Sequence, residues 1–275
     1  MEMNISDSAV RAFRREIRAY YRKQGRSFAW RATTDPYRIL VSEIMLQQTR
    51  TERVAEKYGQ FLSAFPDFES LDRATLHEVL TVWQGMGYNR RALALKEIAR
   101  KVVHERGGKV PRTEEELLQL PGIGRYTASA IMVFAFNKPA IFIETNIRTV
   151  FLHSFFQDRT EIHDKEIAPL VERTLDRKDP RTWYYALMDY GVMLKRSQEN
   201  PGRRSRHHKK QSPFRGSNRQ VRGMILKALV GHPGLPEEEV AGMVPADPDV
   251  IRENLRVLQA EGFIVKRGRV LRIAS

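Results

Sequence analysis

A short glycine turn marks a place where this chain could hold an anion. Residues 120–130 read LPGIGRYTASA, in which Gly122 and Gly124 flank one isoleucine and Arg125 follows directly. Glycine permits positive φ angles and has no Cβ atom, so successive backbone N–H groups can converge at the start of the next helix. A helix N-terminus binds anions, and a DNA phosphate meets that requirement. Gly-x-Gly also occurs in tight helix–helix turns that bind nothing. The choice between an anion-binding turn and a purely structural one therefore depends on the rest of the sequence.

The overall charge favours a polyanionic partner. The 275 residues include 47 Lys and Arg against 33 Asp and Glu, a formal net charge of +14. Nucleic acid is the first candidate and an anionic membrane surface the second. No apolar run approaches the roughly 18–20 residues of a membrane span and the first ten residues lack a signal-peptide pattern. We therefore expect a cytoplasmic, nucleoid-associated protein without membrane contact.

Cysteine is absent from the chain. This excludes disulfides, thiolate metal sites, cysteine-ligated iron–sulfur clusters and a cysteine nucleophile. We expect no cofactor.

Helical patterns dominate the elements that must position the glycine turn. Asp35 and Pro36 predict the start of an amphipathic helix, as N-cap and first helical residue. Thr113 and Glu116 predict a capping box for a helix just before the turn, and an apolar helix is predicted over about 127–136. Strand patterns are convincing only near the C-terminus, so we expect an all-α body.

Residues 195–222 form a basic segment with ten Lys or Arg and a single acidic residue. Phosphate contact would compensate the charge repulsion, although a solvated linker is the alternative. Two adjacent histidines, His207 and His208, lack further ligand candidates at useful spacing, which argues against a metal site. The candidate phosphate ligands in this segment are Arg203, Arg204, Lys209 and Lys210.

The C-terminal residues have the pattern of a winged helix. Three predicted helices are followed by FIVKRGRVLRI, which reads as a hairpin around Arg267 and Gly268. In a winged helix the third helix and the hairpin approach DNA. The alternatives are a domain that binds a protein partner or one that only packs.

Four motifs then occur in the order found in one family. LPGIGRYTASAI resembles the helix-hairpin-helix of the DNA glycosylase superfamily. VSEIMLQQTR, WQGMGYNRRA and IETNIRTV resemble further motifs of its adenine glycosylases for A/G mismatches, the MutY type. With FAWR at 28–31, the resemblance extends over about residues 20–195.

The resemblance implies a two-lobed helix-hairpin-helix glycosylase fold, here with a C-terminal winged-helix-like domain. We expect a helical barrel with the helix-hairpin-helix at residues 28–137 and a second helical lobe made of residues 1–27 and 138–200. A basic linker at residues 201–218 and the winged-helix-like domain at residues 219–275 follow.

Two glutamates could supply the groups that base removal requires. Breaking an N-glycosidic bond proceeds through an oxocarbenium-like transition state, which needs an acid for the departing base and a carboxylate for the positive sugar. The resemblance implies that Glu43 protonates adenine and Glu144 stabilises the sugar. Glu43 lies beside Leu40 and Ile44 on a predicted helix, where desolvation raises a carboxyl pKa, whereas a helix start favours ionised Glu144. Without the resemblance, surface or capping roles would be the simpler interpretation.

Tyr126 and Asn146 are the other residues implied to act at the reacting centre. Bifunctional members of the superfamily have a lysine at the position of Tyr126, whose amine forms a Schiff base with the sugar. Tyrosine implies a monofunctional glycosylase, with its phenol near the carboxylate. Asn146, two residues after Glu144, is implied to hydrogen-bond within the site.

Four residues are implied to handle the flipped base and the gap it leaves. Trp30 and Arg31 match the edge of the adenine pocket, and Gln48 and Tyr88 match positions that insert or stack in the duplex. The adjacent glutamines Gln47 and Gln48 favour the adenine enzymes. Thymine/uracil–guanine mismatch glycosylases remain the alternative.

Three departures from the family bear on function. The family has aspartate where this chain has Glu144, so an extra methylene must be accommodated. Four cysteines that hold an iron–sulfur cluster are missing, and so is the usual C-terminal domain that helps to recognise 8-oxoguanine. We expect a monomer acting on double-stranded DNA with a mismatched or damaged base. A catalytically silent protein that binds damaged DNA is the alternative from another functional class.

Overall fold

The structure is a computed structural model that describes residues 5–208 and 213–274. It is mainly helical, as predicted. The described α-helices are α1 Asp7–Gln24, α2 Pro36–Leu46, α3 Thr51–Ala64, α4 Phe68–Arg73, α5 Leu76–Trp83, α6 Arg90–Arg106, α7 Glu114–Leu117, α8 Arg125–Phe136, α9 Thr145–Phe155, α10 Asp164–Thr174, α11 Pro180–Ser197, α12 Asn218–Gly231, α13 Glu237–Met243 and α14 Pro248–Ala260. The 3₁₀ helices are Ala29–Arg31 and Pro201–Arg204, and the strands are β1 Leu235–Pro236, β2 Ile264–Arg267 and β3 Val270–Ile273.

The described chain forms two compact units. The first contains the chain up to Glu43, residues 111–119 and residues 123–208, and the second contains residues 44–110, residues 120–122 and the chain from Pro213 onward. This grouping differs from the expected lobes, because it places α8 with α9–α11 in the first unit and the C-terminal helices with α3–α6 in the second.

The core of the first unit is rich in aromatic side chains. Phe13 of α1 packs against Phe151 and Phe155 of α9 and against Trp183 of α11, at ring-centroid distances of 5.4, 5.1 and 6.0 Å. Residues 127–135 of α8 are all buried, as expected for a helix that is apolar on every side. These helices hold the segments that carry the candidate site.

The start of α2 confirms the predicted cap. The Asp35 carboxylate accepts a hydrogen bond of 2.9 Å from the Tyr37 N–H, and Pro36 is the first helical residue. Thr113 likewise accepts from the Glu116 N–H at the start of α7. The sequence predicts capping contacts of this kind correctly because both partners lie within one helical turn.

One buried arginine organises the second unit around two turns. Arg91 of α6 is 6% exposed and donates to the backbone carbonyls of Met45 and Gln47, at 2.6 and 2.7 Å, and to those of Met86 and Gly87, at 3.2 and 3.0 Å. Burial lowers the pKa of this guanidinium to about 10. Arg91 therefore ties the turn after α2 to the turn after α5.

The C-terminal part has the winged-helix pattern that the sequence predicts. Strands β2 and β3 pair in an antiparallel hairpin whose turn contains Gly268 at φ +62°. Strand β1 adds to the other side of β3, so the strand order is β1-β3-β2. The prediction missed β1 because two residues are too short to show alternation.

None of the helices in the described part of the chain is long and apolar enough to span a membrane.

Candidate active site

Glu43 lies on α2 with only 6% of its surface exposed. Burial, with a further contribution from the negative charge of Glu144, raises the pKa of Glu43 from 4.5 to about 8, while the positive charge of Arg31 opposes the shift. A carboxylic acid with this pKa is mostly protonated at pH 7. Glu43 can therefore deliver a proton near neutrality.

Glu144 forms the N-cap of α9, and both of its carboxylate oxygens accept hydrogen bonds. One oxygen accepts from the backbone N–H groups of Asn146 and Ile147, at 2.7 and 2.9 Å. The other accepts from the Thr145 hydroxyl at 3.0 Å and the Asn146 side-chain amide at 3.3 Å. Backbone N–H groups at a helix start bind an ionised carboxylate best. The extra methylene relative to aspartate is thus absorbed by a side chain that folds back onto its own helix.

Lys195 joins this cluster, which the sequence did not predict. Its ammonium donates to the side-chain oxygen of Asn146 at 2.8 Å, so Asn146 bridges Lys195 and Glu144. Burial, helped by the charge of Arg148, lowers the pKa of Lys195, and Glu144 opposes the shift. The only sequence signal for this contact was helical spacing. Lys195 follows Gly191 by four residues and therefore lies on the same face of α11.

Gly191 allows α11 to approach the cap of α9 at backbone distance. A Cβ atom at this position would lie 2.7 Å from the carbonyl carbon of Asn146 and 2.8 Å from its Cβ. The absence of a side chain at Gly191 therefore permits the close approach of α11 to Asn146.

We expect Gly191→Ala to destabilise the protein, although alanine is favoured over glycine in a helix by about 1 kcal/mol. Overpacking against backbone typically costs about 1–3 kcal/mol, and the displaced α11 should also slow the reaction. Gly59→Ala in α3 is the matched control, because a Cβ atom there meets nothing within 4 Å. Thermal melts should show Gly191→Ala below and Gly59→Ala at or above the wild type. Equal melting temperatures for both variants would contradict the packing argument.

Tyr126 stands near the start of α8 and packs edge-on against Phe142, with ring centroids 5.4 Å apart. The residue as a whole is 37% exposed. Partial desolvation of the phenol, followed by the negative charges of Glu43 and Glu144, raises the pKa of Tyr126 well above 10. The phenol therefore remains a neutral hydrogen-bond donor near both glutamates.

Arg31 and Trp30, predicted at the pocket edge, are held tightly. The Arg31 guanidinium forms a bidentate pair with Asp189, at 2.8 and 2.9 Å, and lies 4.5 Å from the ring centroid of Tyr185. Burial would raise the pKa of Asp189, but hydrogen bonds and positive charge from Arg31 and Arg26 outweigh burial and the pKa is lowered. Trp30 is 4% exposed and stacks on Phe28 at 4.6 Å. Asp189, the residue that orients Arg31, was missed because 158 residues separate the two.

The glycine turn differs in one respect from the prediction. Gly122 has φ +74°, and a Cβ atom there would lie 2.9 Å from that of Ala94, so both conformation and space require glycine. Gly124 has φ −94° and open space around the position of a Cβ atom. The expectation that both glycines supply positive φ is therefore wrong for Gly124, which instead leaves the start of α8 without a side-chain cap. Arg125 next to it is exposed.

Gln48 and Tyr88 lie in the two turns that Arg91 connects in the second unit. Both are non-glycine residues in the left-handed region, at φ +54° and +46°. Such conformations cost about 1–3 kcal/mol and are enriched at functional sites. The Tyr88 hydroxyl lies 2.5 Å from a guanidinium nitrogen of Arg219 in α12.

Residues 41–175 match the HhH-GPD superfamily of base excision DNA repair proteins. A thymine/uracil-DNA glycosylase of Methanothermobacter thermautotrophicus is 32% identical over 182 residues, which are 65% of this chain and 82% of that protein. The chain belongs to the HhH-GPD superfamily. The matched residues include Glu43, Tyr126 and Glu144.

Other HhH-GPD relatives carry the name adenine DNA glycosylase. The protein of Mus musculus is 35% identical over 246 residues, which are 85% of this chain and 47% of the relative. This chain thus spans about half the length of the mouse relative. Among solved structures, a thermostable thymine-DNA glycosylase superposes with a TM-score of 0.64 at 30% identity, covering 71% of this chain and 91% of that one.

The basic segment of this HhH-GPD chain is partly a structural element. Arg204 donates to the carbonyls of Leu152, at 2.9 Å, and Gln157, so it clamps the C-terminal end of α9. These carbonyls engage the guanidinium of a residue that the sequence predicts as a phosphate ligand. Arg203 is exposed beside Glu199. Lys209 and Lys210 lie outside the described residues.

The residues after α11 do not fit the iron–sulfur cluster found in the family that the chain resembles. The chain has no cysteine to supply thiolate ligands. Ile162 and Ser205 form a parallel backbone bridge here, with hydrogen bonds of 3.1 Å on both sides of Ile162. Within residues 5–208 and 213–274 no group of three or more His, Asp or Glu side chains is arranged to hold a metal ion.

Proposed function

We propose that this protein is a monofunctional DNA glycosylase that removes adenine mispaired with 8-oxoguanine or guanine. The observation that carries the proposal is the contrast between its two glutamates. Glu43 is buried with a pKa of about 8, and Glu144 is a carboxylate held by helix N–H groups. A buried carboxyl that holds its proton near neutrality and a side chain that accepts hydrogen bonds from a helix start can divide the roles of acid and charge stabiliser.

The proposed reaction begins with a flipped adenine against Glu43. The bond between adenine and the sugar C1′ breaks, its electron pair leaves with the base, and the Glu43 proton is transferred to a ring nitrogen. Glu144 stabilises the oxocarbenium ion through its negative charge. Water then adds to C1′ and returns a proton to Glu43, which leaves an abasic site and a free base.

The names of the relatives support two substrates. The adenine DNA glycosylases and the pair Gln47 and Gln48 favour adenine. The relative named thymine/uracil-DNA glycosylase and the thymine-DNA glycosylase structure favour thymine or uracil. Base release from four duplexes, with A opposite 8-oxoguanine, A opposite G, T opposite G and U opposite G, separates these. We expect release from the adenine duplexes. Tight damage-selective binding without release from any duplex would favour a silent binding protein.

Double-stranded DNA as the partner is supported by the charge of +14 and by the turn at Gly122. Positive φ at Gly122 turns the chain toward the uncapped start of α8, where exposed Arg125 adds a charge. These features match phosphate binding at a helix N-terminus.

The basic segment gives a salt-dependence prediction. Replacing Arg203, Lys209 and Lys210 by alanine should flatten the slope of log K against log salt, by about one unit for each phosphate that the protein no longer neutralises. Arg204→Ala is the contrasting variant, because it should lower the melting temperature and leave the slope unchanged. Fluorescence anisotropy titrations between low and moderate salt measure the slope. An unchanged slope in the triple variant would contradict phosphate contact and favour the interpretation of this segment as a solvated linker.

We also expect intact abasic DNA as the product, without strand cleavage until alkali or an abasic endonuclease is added. Tyr126 cannot form a Schiff base. The amine of Lys195 lies in the site but donates to Asn146. Borohydride should therefore trap no covalent adduct with wild-type protein. An adduct that disappears in Lys195→Gln and persists in Lys138→Gln, a control from an exposed lysine, would overturn the monofunctional assignment and identify Lys195 as the nucleophile.

A further inference from the structure

Charge is distributed unevenly over the winged-helix-like domain. Its helices α13 and α14, with the N-cap of α14, carry six acidic residues against two arginines. The hairpin of β2 and β3 carries four cations and no acidic residue. The acidic residues are Glu237, Glu238, Glu239, Asp247, Asp249 and Glu253, and the cations of the hairpin are Lys266, Arg267, Arg269 and Arg272. A polyanion such as DNA is therefore attracted to the hairpin and repelled by the two helices.

The start of α14 is closed to a phosphate. In helix-turn-helix proteins the first residues of the recognition helix, which corresponds to α14 here, contact the bases. In this chain the Asp247 carboxylate caps that helix and accepts from the N–H groups of Asp249 and Val250, at 2.8 and 3.3 Å. Pro248 has no N–H group, and the N–H of Ile251 donates to the Asp247 carbonyl at 3.0 Å. The donors of the first turn are thus engaged, and their carboxylate acceptor would repel a phosphate.

The arginines of α14 lie beside acidic residues of the same helix. Arg252 forms an ion pair with Asp249, and Arg256 forms one with Glu253, each three residues apart. Exposed pairs of this kind are weak, so they do not hold the arginines in place. The two carboxylates nevertheless cancel the charge that the arginines would present to DNA. The outer surface of α14 therefore carries no net positive charge.

The turn of the hairpin is tight and carries an arginine at its tip. Arg267 pairs with Val270 across the two strands, so only Gly268 and Arg269 form the loop. Of these two residues Gly268 alone has positive φ, at +62°, which is the pattern of a type II′ turn. Such a turn matches the twist of the strands and keeps the loop short. Arg267 and Arg269 are consequently held one residue apart at the end of the hairpin.

One face of the hairpin packs into the domain and the other is open. Ile264 and Leu271 are buried on the packed face. Because alternate residues of a strand point to opposite faces, the register of β2 and β3 places Arg267 and Arg272 together on the open face. Lys266 forms an ion pair with Glu237 at 2.7 Å. The exposed cations of the hairpin that form no ion pair within residues 5–208 and 213–274 are Arg267, Arg269 and Arg272.

We infer that the β2–β3 hairpin, and not α14, is the part of this domain that binds DNA, with Arg267 and Arg269 on phosphates of the duplex. This goes beyond the proposed function and rests on it only in taking DNA as the partner. It also narrows the expectation from the winged-helix pattern, in which the third helix and the hairpin both approach DNA. Phosphate contacts carry no sequence information, so the hairpin strengthens binding to damaged and undamaged duplexes alike.

Two double variants with the same change in net charge test this inference. Arg267→Gln with Arg269→Gln removes two positive charges from the hairpin, and Arg252→Gln with Arg256→Gln removes two from α14. The full chain is titrated by fluorescence anisotropy with an undamaged duplex and with one that carries a tetrahydrofuran abasic analogue. On both duplexes the hairpin variant should lose about two units from the slope of log K against log salt. Its deficit in affinity should therefore shrink about tenfold between about 50 and 200 mM salt, whereas the α14 variant should keep the wild-type slope.

Three results would overturn the inference. Equal losses of slope in the two double variants would show that only the net charge matters. An unchanged slope in the hairpin variant, or a larger loss in the α14 variant, would exclude the hairpin as the contact of this domain with DNA. A loss confined to the abasic duplex would make the hairpin part of lesion recognition. Melting temperatures establish folding, and the single variants Arg267→Gln and Arg269→Gln, each expected to lose about one unit of slope, replace a double variant that does not fold.

Base release separates this inference from the proposed function. Single-turnover release at saturating protein should be the same in the hairpin variant and the wild type, because the hairpin affects binding and not the reacting centre. Normal adenine release together with an unchanged slope in the hairpin variant would overturn the inference alone. No release from any duplex, together with a slope that falls only in the hairpin variant, would overturn the glycosylase proposal and retain the hairpin as a DNA contact.

Discussion

Glu43→Gln is expected to abolish base release, by a factor on the order of 10²–10⁴, and to leave DNA binding nearly unchanged. The amide preserves the shape of the side chain but cannot supply a proton to the departing base. Single-turnover release from a duplex with A opposite 8-oxoguanine measures the effect, and anisotropy on the same duplex measures binding. Ser42→Ala is the matched control, because Ser42 is a buried polar neighbour whose hydroxyl donates to the Ile39 carbonyl within the same helix.

The pH dependence of wild-type release should follow the protonation of Glu43. Its pKa in the folded protein is about 8, so the rate should fall as the pH rises through that value. The free energy of unfolding should also depend on pH through Glu43. Because the folded pKa lies above the ordinary value of 4.5, the folded state binds the proton more tightly and loses stability as the pH rises from about 4.5 to 8.

The glutamine variant provides the complementary stability measurement. Since the amide of Glu43→Gln does not ionise, the melting temperature of this variant should exceed that of wild type at pH 9, and the difference should shrink toward pH 5. Substantial base release by Glu43→Gln, or wild-type release that is constant from pH 6 to 10, would exclude Glu43 as the proton donor.

Glu144→Gln is expected to reduce turnover by on the order of a hundredfold or more. A neutral amide can still accept hydrogen bonds at the start of α9, but it cannot stabilise the positive charge that develops only in the transition state. Binding of an uncharged abasic analogue should change little. Thr145→Val is the matched control, because it removes a single 3.0 Å hydrogen bond to the same carboxylate and keeps its charge.

Glu144→Asp tests how the site accommodates the longer side chain. Aspartate is a preferred N-cap residue, so α9 should remain capped. It should nevertheless slow the reaction, because Asn146 and Lys195 are arranged around a glutamate carboxylate and a displacement of about 1 Å can cost on the order of a hundredfold. Faster release by Glu144→Asp would show that the site keeps the geometry of its aspartate-bearing relatives. Unchanged release by Glu144→Gln would remove Glu144 from the mechanism.

Local signals in the sequence were enough to define the helical elements and the positions of most candidate residues. Asp35 with Pro36 and Thr113 with Glu116 indicate helix starts because each pair interacts within one turn. The hairpin at Gly268 and the turn at Gly122 are marked by glycines whose positive φ is a property of the local chain. The order of four motifs placed Glu43 and Glu144 in one family pattern, which no single motif could have done.

The environment of each candidate residue depended instead on tertiary packing. Lys195 meets Asn146 across 49 positions, Asp189 meets Arg31 across 158, and Arg219 meets Tyr88 across 131. Periodicity and capping report neighbours three or four residues apart, so they carry no information about such pairs. The same limit applies to Arg204, which reads as an exposed cation in a basic segment but is engaged by the carbonyls of Leu152 and Gln157. The sequence determines which side chains can carry a charge. The desolvation and the partners of those side chains depend on how distant segments pack.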